Sequence, residues 1–234
     1  MSRNALKYIA IVAMVLDHIA LAFIGTYTPI GMAMRFIGRL TAPIMCCFLS
    51  EGYIHTRSKN KYGNRLLVFA LISQIPFSYL LTGRLLSGKL NMMFTLFFCF
   101  MILVCLEKTD NRIPKVISCL GIFLLCTKSD WGMVAPLWVM VFFFFRDDKK
   151  KMNISYLIVC LFWVARSISM TVADGREWYS ALWQAGTVFA LPVINAYNGE
   201  PGKNSKFSKW FFYWFYPIHI LIIAVIFRKG LLGI

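Results

Sequence analysis

Nine times between residues 6 and 228 the chain enters an apolar run that reaches or approaches the length of a bilayer: 6–25, 34–54, 65–82, 92–106, 113–127, 131–146, 154–173, 179–197 and 210–228. A membrane-spanning helix needs about 20 mostly apolar residues. The pattern therefore predicts an all-α, polytopic membrane helical bundle of about nine transmembrane helices, within a range of eight to ten. The fourth, fifth and sixth runs are short, which fits tilted or re-entrant helices. Only 15% of the residues are Asp, Glu, Lys or Arg, and 59% are hydrophobic; soluble domains carry about 25% charged residues. No polar stretch is long enough to make a separate soluble domain, so residues 1–234 are expected to form a single domain. The first run carries Asp17–His18 and has no small-x-small cleavage site before a polar chain, so it is read as a retained helix.

The net charge of +15 does not point to nucleic acid, because the cations sit between apolar runs rather than on one face or in one tail. Alternate connections are rich in them: Arg3 and Lys7; Arg57, Lys59, Lys61 and Arg65; Lys108, Arg112 and Lys115; Arg146 and Lys149 to Lys151; Lys203, Lys206 and Lys209. The intervening connections carry fewer. Positive residues concentrate on the cytoplasmic side, so the N-terminus is expected in the cytoplasm and the C-terminus on the far side. The aromatic run WFFYWFYP, residues 210–217, fits an interface belt. All seven cysteines lie in apolar segments, with no CxxC and no zinc spacing. No metal site is expected.

Ionisable residues at membrane depth are expensive and usually functional. Here they are Asp17, His18, Arg35, Arg39, Glu51, Arg166 and His219, with Gln74, Asn91, Asp130 and Asn195 near helix ends. Lys7 and His18 are eleven residues apart, which is three helical turns plus about 20°, so they share a face. Their axial separation is about 16 Å. A surface cation and a buried imidazole in one line match an extended thioester, with its phosphates at Lys7 and its reactive carbonyl at His18. Lys7 snorkelling to the interface is the plain alternative. Asp17 points about 100° away from His18 and is expected to meet an arginine of another helix; Arg39, four residues after Arg35, suits that pairing. Glu51 and His55 are also i,i+4, at the inner end of the second run. His219 follows Pro217, which loosens the last helix and lets the imidazole face a cavity.

The segments LKYIAIVAMVLDHIALAF, RFIGRLTAPIMCCFLSEGYIHTRSKNKYGNRLLVFALISQIPFSYL, NMMFTL, SDWG, AYNGEPG and FFYWFYPIHIL resemble, in order and nearly end to end, the TraX family, named for the conjugative F-pilin acetylase. Lys7 to His18 also looks like the basic-x10-His signature of wider transmembrane acyltransferases, where the first residue is usually Arg. In ISQIPFSY, Gln74 and Ser78 stand where the family form is acidic.

The resemblance implies a membrane acyltransferase (acetyltransferase) in a bacterial cytoplasmic (inner) membrane. It would carry an acetyl group from acetyl-CoA to an amine or hydroxyl acceptor: a protein N-terminus, a sugar or a lipid. The candidate catalytic residues are His18 as general base or transient acyl carrier, Asp17, Arg39 and His219. The candidate donor-binding residues are Lys7, Arg35, Glu51, His55, Arg57, Arg65 and Asn91; Arg39 or Asn91 suits oxyanion stabilisation. The expected partners are acetyl-CoA, membrane lipids, the acceptor and, as an open case, further copies of the chain. Two other readings stand beside this one. The Asp17, His18, Arg39 and His219 set also suits a proton-coupled transporter, although no inverted repeat is visible. The same groups suit polar glue between helices of a non-enzymatic scaffold.

Overall fold

The apolar runs become helices. The computed structural model describes residues 1–108, 110–200 and 206–232. In chain order it contains α1 (Arg3–Ile19) with a π-helical turn (Ala20–Ile24), α2 (Pro29–Gly38), α3 (Thr41–His55), α4 (Lys59–Thr82), α5 (Met92–Lys108) and α6 (Arg112–Cys126). It continues with α7 (Val134–Phe144), α8 (Lys149–Ala173), a 3-10 helix (Trp178–Thr187), α9 (Ala190–Asn195) and α10 (Lys206–Leu232). No strand occurs among the described residues. Arg3–Ile24, Pro29–His55, Lys59–Thr82, Lys149–Ala173 and Trp210–Gly230 are each long and apolar enough to cross a bilayer. The chain is an all-α membrane protein. Lys203 and the Pro201–Gly202 end of AYNGEPG lie outside the described residues.

Two expected helices differ from their prediction. The run 34–54 is broken between α2 and α3. Pro43 has no N–H to give the Arg39 carbonyl, and the chain tightens instead, with Leu40 N donating to Ile37 O at 3.1 Å. The run 179–197 is a 3-10 helix followed by the short α9. Pro192 cannot donate to Val188 O, and Leu191 N takes that acceptor at 3.2 Å.

Helix starts follow local capping chemistry, in which a side-chain oxygen accepts one of the orphan N–H groups of the first turn. Ser2 accepts from Ala5 N, Thr28 from Gly31 N, Ser58 from Lys61 N and Asp148 from Lys151 N. Helix α4 ends at Gly83, whose φ of 72° is the left-handed conformation that glycine adopts without strain.

The helices form two compact units: Met1–Met45 with Phe145–Phe212, and Cys46–Phe144 with Tyr213–Ile234. In the first, α1 buries Leu6, Ala10 and Ala13, a row at i, i+4, i+7 that packs small side chains inward. Helix α8 holds the 3-10 helix through Tyr156 Oη, which donates to Thr187 O at 2.5 Å, and Trp163 Nε1, which donates to Gln184 Oε1 at 3.1 Å. In the second, Leu66, Phe69 and Phe77 of α4, Leu96, Phe100 and Leu103 of α5, and Trp138 of α7 are buried. Residue 63 is glycine because a Cβ there would lie 2.8 Å from the Phe100 ring.

Candidate functional site

In the first unit the two helices that carry the charged residues meet. Asp17 sits near the end of α1, and Arg35 and Arg39 stand one turn apart at the end of α2. Arg39 Nη2 donates to Asp17 Oδ1 at 2.6 Å, and Arg35 Nε lies 3.7 Å from the same oxygen. Gly38 makes this approach feasible: a Cβ on it would fall 2.5 Å from both Cβ and Oδ1 of Asp17. Thr41 Oγ1 adds a tie by donating to Ala10 O at 3.0 Å.

The 3-10 helix closes the cluster. The Cζ atoms of Arg35 and Arg39 lie 4.2 and 4.6 Å from the Trp183 ring centroid. Both guanidiniums therefore lie against the one indole, an attraction of about 0.5–2 kcal/mol for each pair depending on desolvation. The 3-10 helix reaches α2 because residue 186 is glycine: a Cβ there would lie 2.0 Å from Phe36 O. One carboxylate thus faces two guanidiniums over an aromatic floor. Deleting one partner of such a buried pair costs about 3–5 kcal/mol, since the other charge is stranded. Arg35 Nη1 also reaches Thr26 Oγ1 at 3.4 Å.

His18 follows Asp17 and is 7% exposed, so its imidazole is inside the protein. Lys7 belongs to the same unbroken α-helix, which keeps the shared face set by the eleven-residue spacing. Its Nζ stands 4.8 Å above the Phe212 ring, and Tyr8 packs on Phe211 and Phe212.

The remaining candidates lie in the second unit. His219 Nδ1 is 2.8 Å from Phe215 O, and the ring stacks on Phe215 with 4.9 Å between centroids. A carbonyl only accepts, so Nδ1 carries hydrogen and Nε2 of the neutral ring bears the lone pair. His55 is exposed and bonds Glu51 O in the same way at 2.9 Å. Arg57 is exposed, and Arg65 lies 5.6 Å from the Tyr62 ring. Asn91 is fully buried and engaged. Its Nδ2 donates to Ala70 O and Gln74 Oε1, and its Oδ1 accepts from Met93 N at the start of α5. Gln74 Nε2 donates in turn to Ser78 Oγ and Lys89 O. Gln74, Ser78 and Asn91 thus build a neutral hydrogen-bond network between α4 and α5. At the end of α5, Glu107 accepts from Tyr53 Oη and pairs with Lys59. Among the described residues no group of three His, Cys, Asp or Glu side chains is placed to hold a metal ion.

The family described as TraX protein matches residues 2–227. The chain belongs to the TraX family. It is also 30% identical, over 96% of its own length and 97% of the relative's, to the probable fimbrial assembly protein FimC, serogroup H1, of Dichelobacter nodosus. No solved structure matches it. In this TraX-family chain the expected Asp17–Arg39 pair is formed, and Arg35 joins it. Sequence reasoning missed Trp183 and the two glycines, Gly38 and Gly186, that let the backbones meet. Trp183 and Gly186 both lie in WYSALWQAGT, a segment with no charge of its own, and nothing within it marks either as a neighbour of the arginines.

Proposed function

We propose that this protein is a membrane acyltransferase that moves an acetyl group from cytoplasmic acetyl-CoA to an amine or hydroxyl acceptor. The observation that carries the reading is the buried His18, next to an Asp17–Arg39–Arg35 cluster on Trp183 and on the same helical face as Lys7. TraX membership supports it, since the family takes its name from a pilin acetylase. The donor fits the chain's groups: the Lys7 ammonium suits a phosphate, and the distance of about 16 Å along α1 suits an extended thioester arm.

In this reading neutral His18 accepts the proton of the acceptor N–H or O–H while the acceptor lone pair attacks the thioester carbonyl. The new C–N or C–O bond forms, the C–S bond breaks, and the departing thiolate takes the proton from the imidazolium. Arg39 and Arg35 are oriented donors for the oxyanion; a donor of this kind is worth about 10²–10³ in rate. A variant route acylates His18 first and then the acceptor. The membrane is the bacterial cytoplasmic one, with the N-terminus of the chain on the cytoplasmic side. The Dichelobacter relative is named for fimbrial assembly, which supports a fimbrial protein among the candidate acceptors.

The test is thiol release from acetyl-CoA by purified protein in detergent, with a native membrane extract as acceptor source. Wild type is expected to release thiol and His18→Ala to lose at least a hundredfold at unchanged Tm. Equal release by both proteins would overturn the assignment of His18. Absence of release from wild type, with no rise in Tm on adding acetyl-CoA, would overturn the donor.

A further inference from the structure

Helix α8 packs on the 3-10 helix along one side and carries a row of exposed apolar side chains along another. Along its length only Tyr156 and Cys160 are fully enclosed. Ile158, Phe162 and Met170 are 61, 63 and 50% exposed. They fall at i, i+4 and i+12, on one stripe of every fourth residue that winds about 40° round the helix per step. A helix that faces lipid alone is expected to carry such a stripe without charge.

The stripe is interrupted by Arg166, one turn after Phe162 and one turn before Met170, and it too is exposed. Arg166 lies seventeen residues beyond Lys149 and seven before Ala173. At 1.5 Å per residue that is about 25 Å from one end of the helix and about 10 Å from the other. Its Cζ is 5.7 Å from the ring of Trp163, on the preceding turn and farther from the nearer end. The Trp163 indole is itself held by the hydrogen bond to Gln184. The guanidinium thus lies beside a ring that is itself tied to the 3-10 helix. Among the described residues no carboxylate is paired with it. An arginine left in hydrocarbon without a counter-charge is costly, so this position calls for an anion supplied at the same depth. Beside it, Ala165 and Ser169 are small, exposed and one turn apart, which lets another helix approach closely. A headgroup phosphate would have to leave the interface to reach the same point.

We infer that the exposed face of α8 is the docking surface for a transmembrane helix of another protein that carries an Asp or Glu about 10 Å inside the membrane, paired with Arg166. The inference stands apart from the acyl-transfer reading, because it uses none of its residues.

The test reconstitutes the full chain in phosphatidylcholine vesicles with a synthetic Leu/Ala helix that carries a donor fluorophore. A single guest residue, Glu or Gln, is placed two turns from one end, and association is read by energy transfer. The Glu helix is expected to associate at least tenfold more strongly than the Gln helix. Arg166→Gln is expected to abolish that difference, and Arg166→Glu to bind a Lys-guest helix instead. Tm in detergent establishes that both variants fold. Equal association of Glu and Gln helices, or a preference that survives Arg166→Gln, would overturn the proposal. So would binding of phosphatidylglycerol, or association between copies of the chain, that is lost in Arg166→Gln while the Glu helix shows no preference.

Discussion

Gly38 rests directly on Asp17: a methyl group added at residue 38 would lie 2.5 Å from the Cβ and from Oδ1 of that aspartate. The obstructing Cβ is fixed to the α1 backbone and cannot swing aside. Gly38→Ala must therefore push α1 and α2 apart and stretch the Asp17–Arg39 bond. Overpacking of this kind costs about 1–3 kcal/mol. The expected result is a lower Tm in detergent and a loss of thiol release; an unchanged Tm would mean that the helices do not touch there.

Asp17 and Arg39 should behave as a coupled pair. Asp17→Asn keeps the shape and strands the guanidiniums, at about 3–5 kcal/mol. Combining Asp17→Asn with Arg39→Gln should cost less than the sum of the single changes, by about 0.5–3 kcal/mol. A double-mutant cycle on unfolding free energy measures this, and strict additivity would show that the contact carries no energy.

Trp183 contributes a ring face rather than a hydrogen bond to the arginines. Trp183→Phe keeps a smaller face, and Trp183→Leu keeps bulk without one. Stability and activity are expected to fall in the order wild type, Phe, Leu, with the Leu variant losing about 1–4 kcal/mol for two cation–π contacts. Equal behaviour of the Phe and Leu variants would reduce Trp183 to a space filler.

Outside the spans, Glu107 sets an acid limit. Hydrogen bonds from Lys59 and then Tyr53 hold its carboxyl below the ordinary carboxylate range. A depressed pKa gives stability that is present above the unfolded value and lost as pH falls through the folded one. Because Glu107 is largely exposed, the effect is screened and small. Tm measured from pH 6 to pH 3 should fall less steeply for Glu107→Gln than for wild type. Identical acid limbs would exclude the carboxylate as a source of the pH dependence.

The periodicity of polar and apolar residues carried most of the helix pattern, because lipid leaves a 20-residue apolar run few alternatives. The Asp17–Arg39 pair was also readable, since adjacent residues on α1 point in different directions and a charge at that depth requires a partner. Trp183 was not readable. Its position over the arginines depends on a 3-10 segment whose path is set by Pro192 and by contact with α2, and neither is a local preference of the tryptophan. The break after Arg39 had a local sign in Pro43, but the apolar run masked it. The Gln74–Asn91 network was hidden for a different reason: two neutral amides seventeen residues apart show nothing in sequence of the turn that brings them together.

Helix α2 meets Asp17 through Gly38 and the 3-10 helix through Gly186, backbone against neighbour on both sides. Close contacts of that kind leave no clearance for sliding, and interiors so packed respond by switching as units rather than by bending. The arginines, the aspartate and the indole therefore share one motion. If substrates enter by a rearrangement, it is the whole assembly of α1, α2 and the 3-10 helix that is displaced, and the amide hydrogens of these three segments should exchange with solvent together.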